Sequence, residues 1–480
     1  MNEHVIKYLE EQGYENIPTN YYKQIENWEN YWKNNTDYLT YKDFYGKERK
    51  MYTLGMAKTI CEDWGSILWS EEDDITCPKE NINELVYNIS TSYDLKNRIP
   101  ESVETCCWSG TCAAIIRLNN VVIDENQVVK ANNKTKKELV IVNGKNIIPL
   151  KIEHNKIVDV AFVSKTSLNS KDCIYLEIHK LLDEEYEIRN VYLDEQNGKE
   201  IKNEDVIEIL HTGTTNPWFS ILTPPKINPI KQNLGLGFSV YGNALDQIKA
   251  CDIAYNNFVM DLYLGGKKII YNKKLIKYKS VSYKNSNGET EIKEVPVYPD
   301  DISKQQFMEV GDGTGNANDK ELIHEYNPAL RVDDNEKAVQ LSLNVLSRKT
   351  MLGSKYYSFE NGTVVTATQF VGDRQDFVKN AKKFRNKLNQ YIVNIIKTSL
   401  AIEQTIFGNK EIKGDEEILV GSTDGFMVDQ ETERQQARED LAIGVISKVE
   451  YRMKVFHETK EEAEQALKAI DSQYEIDEDE

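Results

Sequence analysis

Apolar residues recur at steps of three and four through the first 75 positions. Residues 5–11, 21–32 and 51–69 carry this helical spacing, and Leu54, Ala57, Ile60, Cys61, Trp64, Ile67 and Leu68 follow it most closely. From about residue 112 to 212 the pattern shortens. Residues 113–118, 138–142, 157–163, 173–178 and 187–193 are β-prone runs separated by Asn, Gly, Asp or Lys, which predicts strands of an antiparallel sheet. Four prolines (Pro217, Pro224, Pro225, Pro229) then make 214–229 an extended, irregular connection.

The unit 233–265 comes next: Tyr241, Leu245, Ile248, Tyr255, Phe258 and Leu262 recur at helical spacing, predicting a helix of about 25 residues stopped by Gly265-Gly266. Residues 267–330 read as β, with runs at 268–271, 280–284 and 291–297, a hairpin turn at Asn287-Gly288 and a flexible loop at Gly311, Gly313 and Gly315. Asp333-Asp334 caps a second helix that ends near residue 352. A break over 353–366 holds Gly353, Asn361 and Gly362. A third, long helix follows over 367–407. In it Phe377, Ala381, Phe384, Leu388, Tyr391 and Ile395 alternate steps of four and three. That seam spans fewer than four heptads, so an ordinary packed amphipathic helix is preferred over a coiled coil. Two shorter helices, 431–443 and 460–470, precede a frayed acidic end at 471–480. All eleven prolines lie at or before Pro328, which leaves the last third free for long helices. The fold class is α+β, mainly helical, with two β-containing segments.

At 480 residues and 40% hydrophobic content the chain can bury a core and form roughly two to four domains. It has no apolar run of about 18 residues and no apolar signal core at its start, which predicts an intracellular protein without a membrane span. The formal charge of −19 argues against a protein that coats nucleic acid. Nearly half of it, −9, falls in residues 429–480. Against this background two basic runs stand out: Lys267, Lys268, Lys273, Lys274, Lys277 and Lys279, and then Arg374, Lys379, Lys382, Lys383, Arg385 and Lys387. Either could face a phosphate backbone or an acidic partner, although for the second the polar face of a helix is preferred.

Enzyme signatures are missing. No P-loop and no H-E-x-x-H occurs, and Gly235-Leu-Gly237 lacks the third glycine of a dinucleotide fingerprint. Seven cysteines, an odd number, include the cluster Cys106, Cys107 and Cys112 without paired C-x-x-C spacing, so structural thiols are expected rather than a zinc site. A distant Cys–His pair stays open. The run Glu71-Glu72-Asp73-Asp74 could bind a divalent cation, with a solvated loop the preferred reading. The expectation is a non-enzyme with no catalytic residue, no cofactor and no metal.

Four segments together resemble the portal proteins of tailed phages of Gram-positive bacteria. They are GFSVYGNALDQIKACDIAYNNFVMDLYLGGKKIIYN (237–272), LGMAKTICEDWGSILW (54–69), GTVVTATQ (362–369) and AIGVISK (442–448) with the Glu/Ala-rich stretch that follows at 460–470. They are colinear over about residues 50–470. The resemblance implies a subunit of a ring, usually of about twelve copies, at one vertex of a capsid, assembled in the bacterial cytoplasm. Residues 1–236 would be a wing, 237–265 and 333–352 two stem helices, and 266–332 a clip between them. Residues 353–366 would be a tunnel loop, 367–428 a long helix returning to the wing, and 429–480 a crown with its acidic tail.

The implied activity is mechanical: a conduit for double-stranded DNA in packaging and ejection. The implied partners are further copies of the chain, the DNA, the terminase large subunit, a head-completion or adaptor protein, and the major capsid and scaffold proteins, with no membrane. Arg348, Lys349, Lys355, Tyr356 and Tyr357 would face the DNA. Lys267, Lys268, Lys273, Lys274 and Lys277 would meet partners at the clip. Two other classes stay open: another virion component such as a minor capsid or scaffold protein, and a metal-dependent nuclease built on scattered carboxylates.

Overall fold

The computed structural model describes residues 3–14, 19–42, 46–70, 73–124, 127–168, 171–202, 207–230, 235–265, 268–272, 278–284, 290–296, 307–310, 323–326, 329–357, 367–421, 437–456 and 463–468. The architecture is mixed α+β with several small sheets. The main helices are α1 (Glu3–Glu11), α2 (Thr19–Trp32), α3 (Met56–Leu68), α4 (Glu80–Ser92), α5 (Leu95–Ser109), α6 (Leu245–Leu264), α7 (Val332–Lys349) and α8 (Ala367–Thr405). The chain divides into two units. The first comprises Met1–Thr36, Gly55–Leu245 and Asn344–Glu480, and the second Asp37–Leu54 and Asp246–Leu343.

In the first unit α3 buries the apolar stripe read from the sequence from Ala57 to Leu68, while Leu54 precedes the helix and is half-buried. Trp64 is fully buried and packs against Phe384 of α8 at 5.4 Å and Phe377 at 6.3 Å between ring centroids. A large side chain buried this fully stabilises by about 1.5–3 kcal/mol. The seam of α8 is buried at every position from Phe377 to Ile395, and Ser220 Oγ donates to the Tyr391 carbonyl at 3.1 Å. The seam is therefore covered by neighbouring elements of its own unit, as an ordinary amphipathic helix would be.

The strands of the second unit's hairpin come first in the chain: β1 (Thr40–Lys42) and β2 (Glu48–Lys50), which pair with each other. In the first unit follow β3 (Asp74–Thr76), β4 (Cys112–Asn119), β5 (Val122–Ile123), β6 (Val129–Lys130) and β7 (Lys136–Asn143). Then come β8 (Ile147–Glu153), β9 (Lys156–Leu168), β10 (Lys171–Leu181), β11 (Tyr186–Asp194), β12 (Ile209–His211) and β13 (Phe219–Leu222). The largest sheet is antiparallel with order β12-β11-β10-β9-β8, and a smaller one has order β13-β4-β7. Central strand β10 pairs Leu176 with Val163 on one side and Val191 on the other.

Among the stretches that differ from the sequence reading, two bear on the core. Helix α6 runs from Leu245 to Leu264, so the helix expected within 233–265 starts later, and the described residues 235–244 are not helical. That stretch is threaded through the core instead. A Cβ on Gly237 would stand 2.2 Å from the Gly110 carbonyl, so only glycine permits the approach. Val240 N donates to Cys107 O at 3.0 Å, Ser239 Oγ donates to the same carbonyl at 2.9 Å, and Tyr241 Oη donates to Trp28 O at 2.8 Å. These long-range bonds replace the helical ladder. The second difference is α4 and α5, where the sequence showed no clear element. Helix α4 is rich in Asn, Ser and Thr, and α5 contains Pro100, so both lack strong local signals.

In the second unit, Asp252 of α6 accepts from Tyr38 Oη at 2.7 Å and from Leu54 N at 2.9 Å. Asp261 near the end of α6 takes both arms of Arg331, at 3.0 and 2.6 Å, just before α7. Between these helices lie β14 (Lys268–Asn272), β15 (Tyr278–Lys284), β16 (Thr290–Pro296), β17 (Phe307–Val310) and β18 (Ile323–Tyr326). β15 and β16 form an antiparallel pair. β14 runs parallel to β17 and antiparallel to β18. β14, β15 and β16 fall where β structure was expected. The expected hairpin turn at Asn287-Gly288 and the Gly311–Gly315 loop lie outside the described residues, as does the tail 471–480.

Candidate functional site

The turn after α7 is the described segment on which the most chemistry converges. Helix α7 ends with Arg348 and Lys349, cations that suit the negative end of a helix dipole. Of its last carbonyls, which a helix leaves open, those of Leu346, Ser347 and Lys349 have partners. Thr350 Oγ1 donates to Leu346 O at 3.0 Å and to Ser347 O at 3.2 Å, and Leu352 N also reaches Ser347 O at 3.0 Å. Lys226 Nζ donates to Lys349 O at 2.8 Å. Trp64 Nε1 donates to Thr350 O at 3.2 Å, and Asn380 Nδ2 to Met351 O at 3.1 Å. Met351, Gly353 and Lys355 all have positive φ, at 70°, 82° and 64°. Alternating left-handed residues of this kind fold the chain tightly, and each non-glycine one costs about 1 kcal/mol. A Cβ on Gly353 would press on Phe377 Cβ at 3.3 Å, so the turn lies directly on α8.

The five residues expected to face DNA separate here into two groups. Arg348, Lys349 and Lys355 are exposed. Tyr356 and Tyr357 turn back onto their own unit. Tyr357 Oη donates to the Asp63 carboxylate of α3, and Tyr356 packs on Phe377 at 5.9 Å. Burial, and then the Asp63 charge, push the Tyr357 phenol far above its ordinary range, and burial raises Asp63 as well. The pair is thus a neutral-phenol donor on a carboxylate acceptor, and it fastens the turn to α3.

Of the partner-binding cations expected at the clip, one lies among the described residues. Lys267, Lys273, Lys274 and Lys277 lie outside the described residues, and Lys268 opens β14 opposite Tyr326. The second basic run divides along α8. Lys379, Lys382 and Lys383 are exposed. Lys387 Nζ donates to Thr223 Oγ1 at 3.0 Å and to Pro224 O at 3.1 Å. Arg385 is mostly buried and meets Asp73 at 3.1 Å. Asp73 is only 3% exposed, which corrects the reading of that residue as part of a solvated loop, whereas Asp74 is exposed. Glu71 and Glu72 lie outside the described residues.

Sequence reasoning missed Lys226, Trp64, Asn380 and Asp63 as supports of the turn. Each is distant from it in the chain, and no local spacing marks them. It also missed the charged cluster on β10. There Glu177 accepts from Arg117 Nε at 2.7 Å and shares a 2.9 Å hydrogen bond with His179 Nε2.

Among the described residues, no group of three or more His, Cys, Asp and Glu is arranged to hold a metal ion. All seven cysteines are free and buried. Burial pushes Cys61, Cys106 and Cys107 well above the ordinary thiol value and raises Cys112 and Cys251 to about 12, so none of these five is a thiolate at neutral pH. Cavities of about 520 Å³ around Asp73, Asp94 and Tyr87, and of about 330 Å³ around Lys387, Gln390 and Tyr391, contain neither His nor Cys in their walls. No helix among the described residues is long and apolar enough to cross a membrane. Neither a protein-family model nor a curated protein matches the sequence.

Proposed function

We propose that this chain is a phage portal protein: a subunit of a ring at one capsid vertex through which double-stranded DNA is packaged and ejected. The observation that carries the reading is the turn after α7. It presents three exposed cations, Arg348, Lys349 and Lys355, from a base that side chains of α3 and α8 hold in place. Sparse, rigidly held cations on a strongly acidic protein suit a polyanion that has to slide. A dense basic surface would retain it by counterion release. The order of the four resembling segments supports the same reading.

On this reading residues 266–332, between α6 and α7, are the clip that meets terminase and then the head-completion protein. Capsid and scaffold proteins surround the ring, and the energy for translocation comes from the terminase, which fits the missing P-loop. The mechanism in this chain is positional. Cations at fixed points meet passing phosphates one at a time, and each contact stays weak enough to break.

The test is packaging with Lys349→Ala and Lys355→Ala. Each is expected to lower the yield of filled heads several-fold with ring assembly intact. A wild-type DNA yield from both would overturn the assignment of this turn.

A further inference from the structure

We infer that Lys226 is a positioning residue for this turn: its ammonium joins the chain just before α6 to the end of α7, and so fixes where Arg348 and Lys349 stand. The three acceptors are Lys349 O at 2.8 Å, Asn243 Oδ1 at 2.9 Å and Val240 O. Val240 and Asn243 lie two to five residues before α6 begins, and Lys349 is the last residue of α7. All four residues belong to the first unit, and the three acceptors lie near the points where the chain leaves it and returns. A lysine ammonium has three donors and no acceptor, so this set occupies it fully. Lys349 adds a reciprocal link, its own Nζ reaching Asn243 O at 3.4 Å.

The environment of Lys226 is unusual for a lysine. Burial lowers its pKa to about 8, Cys107 of α5 opposes that shift, and the Lys349 charge adds to it. With all three donors used, its ammonium is a constrained group rather than a freely solvated one. Its loss would remove from Lys349 O the ammonium donor that meets it at the helix end, while Leu346 O and Ser347 O keep theirs.

The inference rests on the DNA-conduit reading for what the turn does, and the experiment separates the two. Hydrogen exchange is followed at the amides of Thr350 and Leu352, which donate to Leu346 O and Ser347 O, and at Gly242 and Ala244, which donate to Ser239 O and Tyr241 O. In the assembled Lys226→Met protein these amides are expected to exchange about tenfold faster, with other amides unchanged. Lys226→Arg, which keeps a cation and several donors, is expected to restore protection in large part. DNA yield in Lys226→Met is expected to fall toward that of Lys349→Ala. Unchanged exchange at all four amides would overturn the pin. Faster exchange with full DNA yield, while Lys349→Ala still packages poorly, would overturn the positioning role. Full yield from Lys349→Ala and Lys355→Ala is instead the failure of the conduit reading, and it leaves the exchange result to decide the pin.

Discussion

At Glu177 a carboxylate that is 3% exposed lies between Arg117 and His179 on the central strand of the largest sheet. Burial alone would raise its pKa. The hydrogen bonds and charges of His179 and Arg117 outweigh burial and hold it below its ordinary value. A carboxylate with a depressed folded-state pKa contributes stability that is complete above its unfolded value, about 4.3. That stability is lost as pH falls through the lower folded value. Glu177→Gln leaves Arg117 without its counter-charge. Because Arg117 is 28% exposed, the low end of the range for breaking a buried pair applies, about 3 kcal/mol. Urea unfolding at pH 7 and at successively lower pH checks this. The gap between wild type and variant should be full at pH 7 and narrow only below about pH 4.3; a gap that is constant down to pH 3 contradicts it. None of this was legible in the sequence, because Arg117 and Glu177 are 60 positions apart and meet only where strands of two different sheets come together.

Element boundaries were most legible where one local signal dominated. Helix α8 runs from Ala367 to Thr405 against an expected 367–407, since its apolar seam and lack of proline agree. The segment 235–244 opens the unit in which a helix was expected, yet its bonds go to Cys107, Trp28 and Thr111 and are invisible to a local reading. Helix α3 permits a direct check of how closely elements pack. Gly65 sits inside it, facing Pro100 of α5. A Cβ at Gly65 would lie 3.5 Å from Pro100 O and 3.9 Å from Pro100 Cβ, ordinary van der Waals distances. Gly65→Ala removes backbone freedom from the unfolded chain without a clash, and is expected to stabilise by about 0.5–1 kcal/mol. Thermal or urea unfolding measures it, and a loss of stability would mean that α3 and α5 lie closer than described here.

The molecule as a whole combines a first unit with an antiparallel sheet and long helices, a second unit inserted between residues 245 and 344 with a contribution from 37–54, and a net charge of −19. The sequence made the α+β class and the two β-bearing segments legible. Of the candidate site it made the three exposed cations legible as members of one short segment. It did not show that Tyr356 and Tyr357 serve as anchors, because Asp63 and Phe377 reach them only in the folded chain. The central claim concerns assembly: a conduit requires copies of this chain to close into a ring by head-to-tail contacts. Negative-stain imaging of the purified full-length protein over a range of concentrations tests it most directly. The account predicts rings with a stain-filled central hole wide enough for a DNA duplex, about 20 Å or more. Uniform monomers at every concentration, or closed particles without a hole, would contradict it.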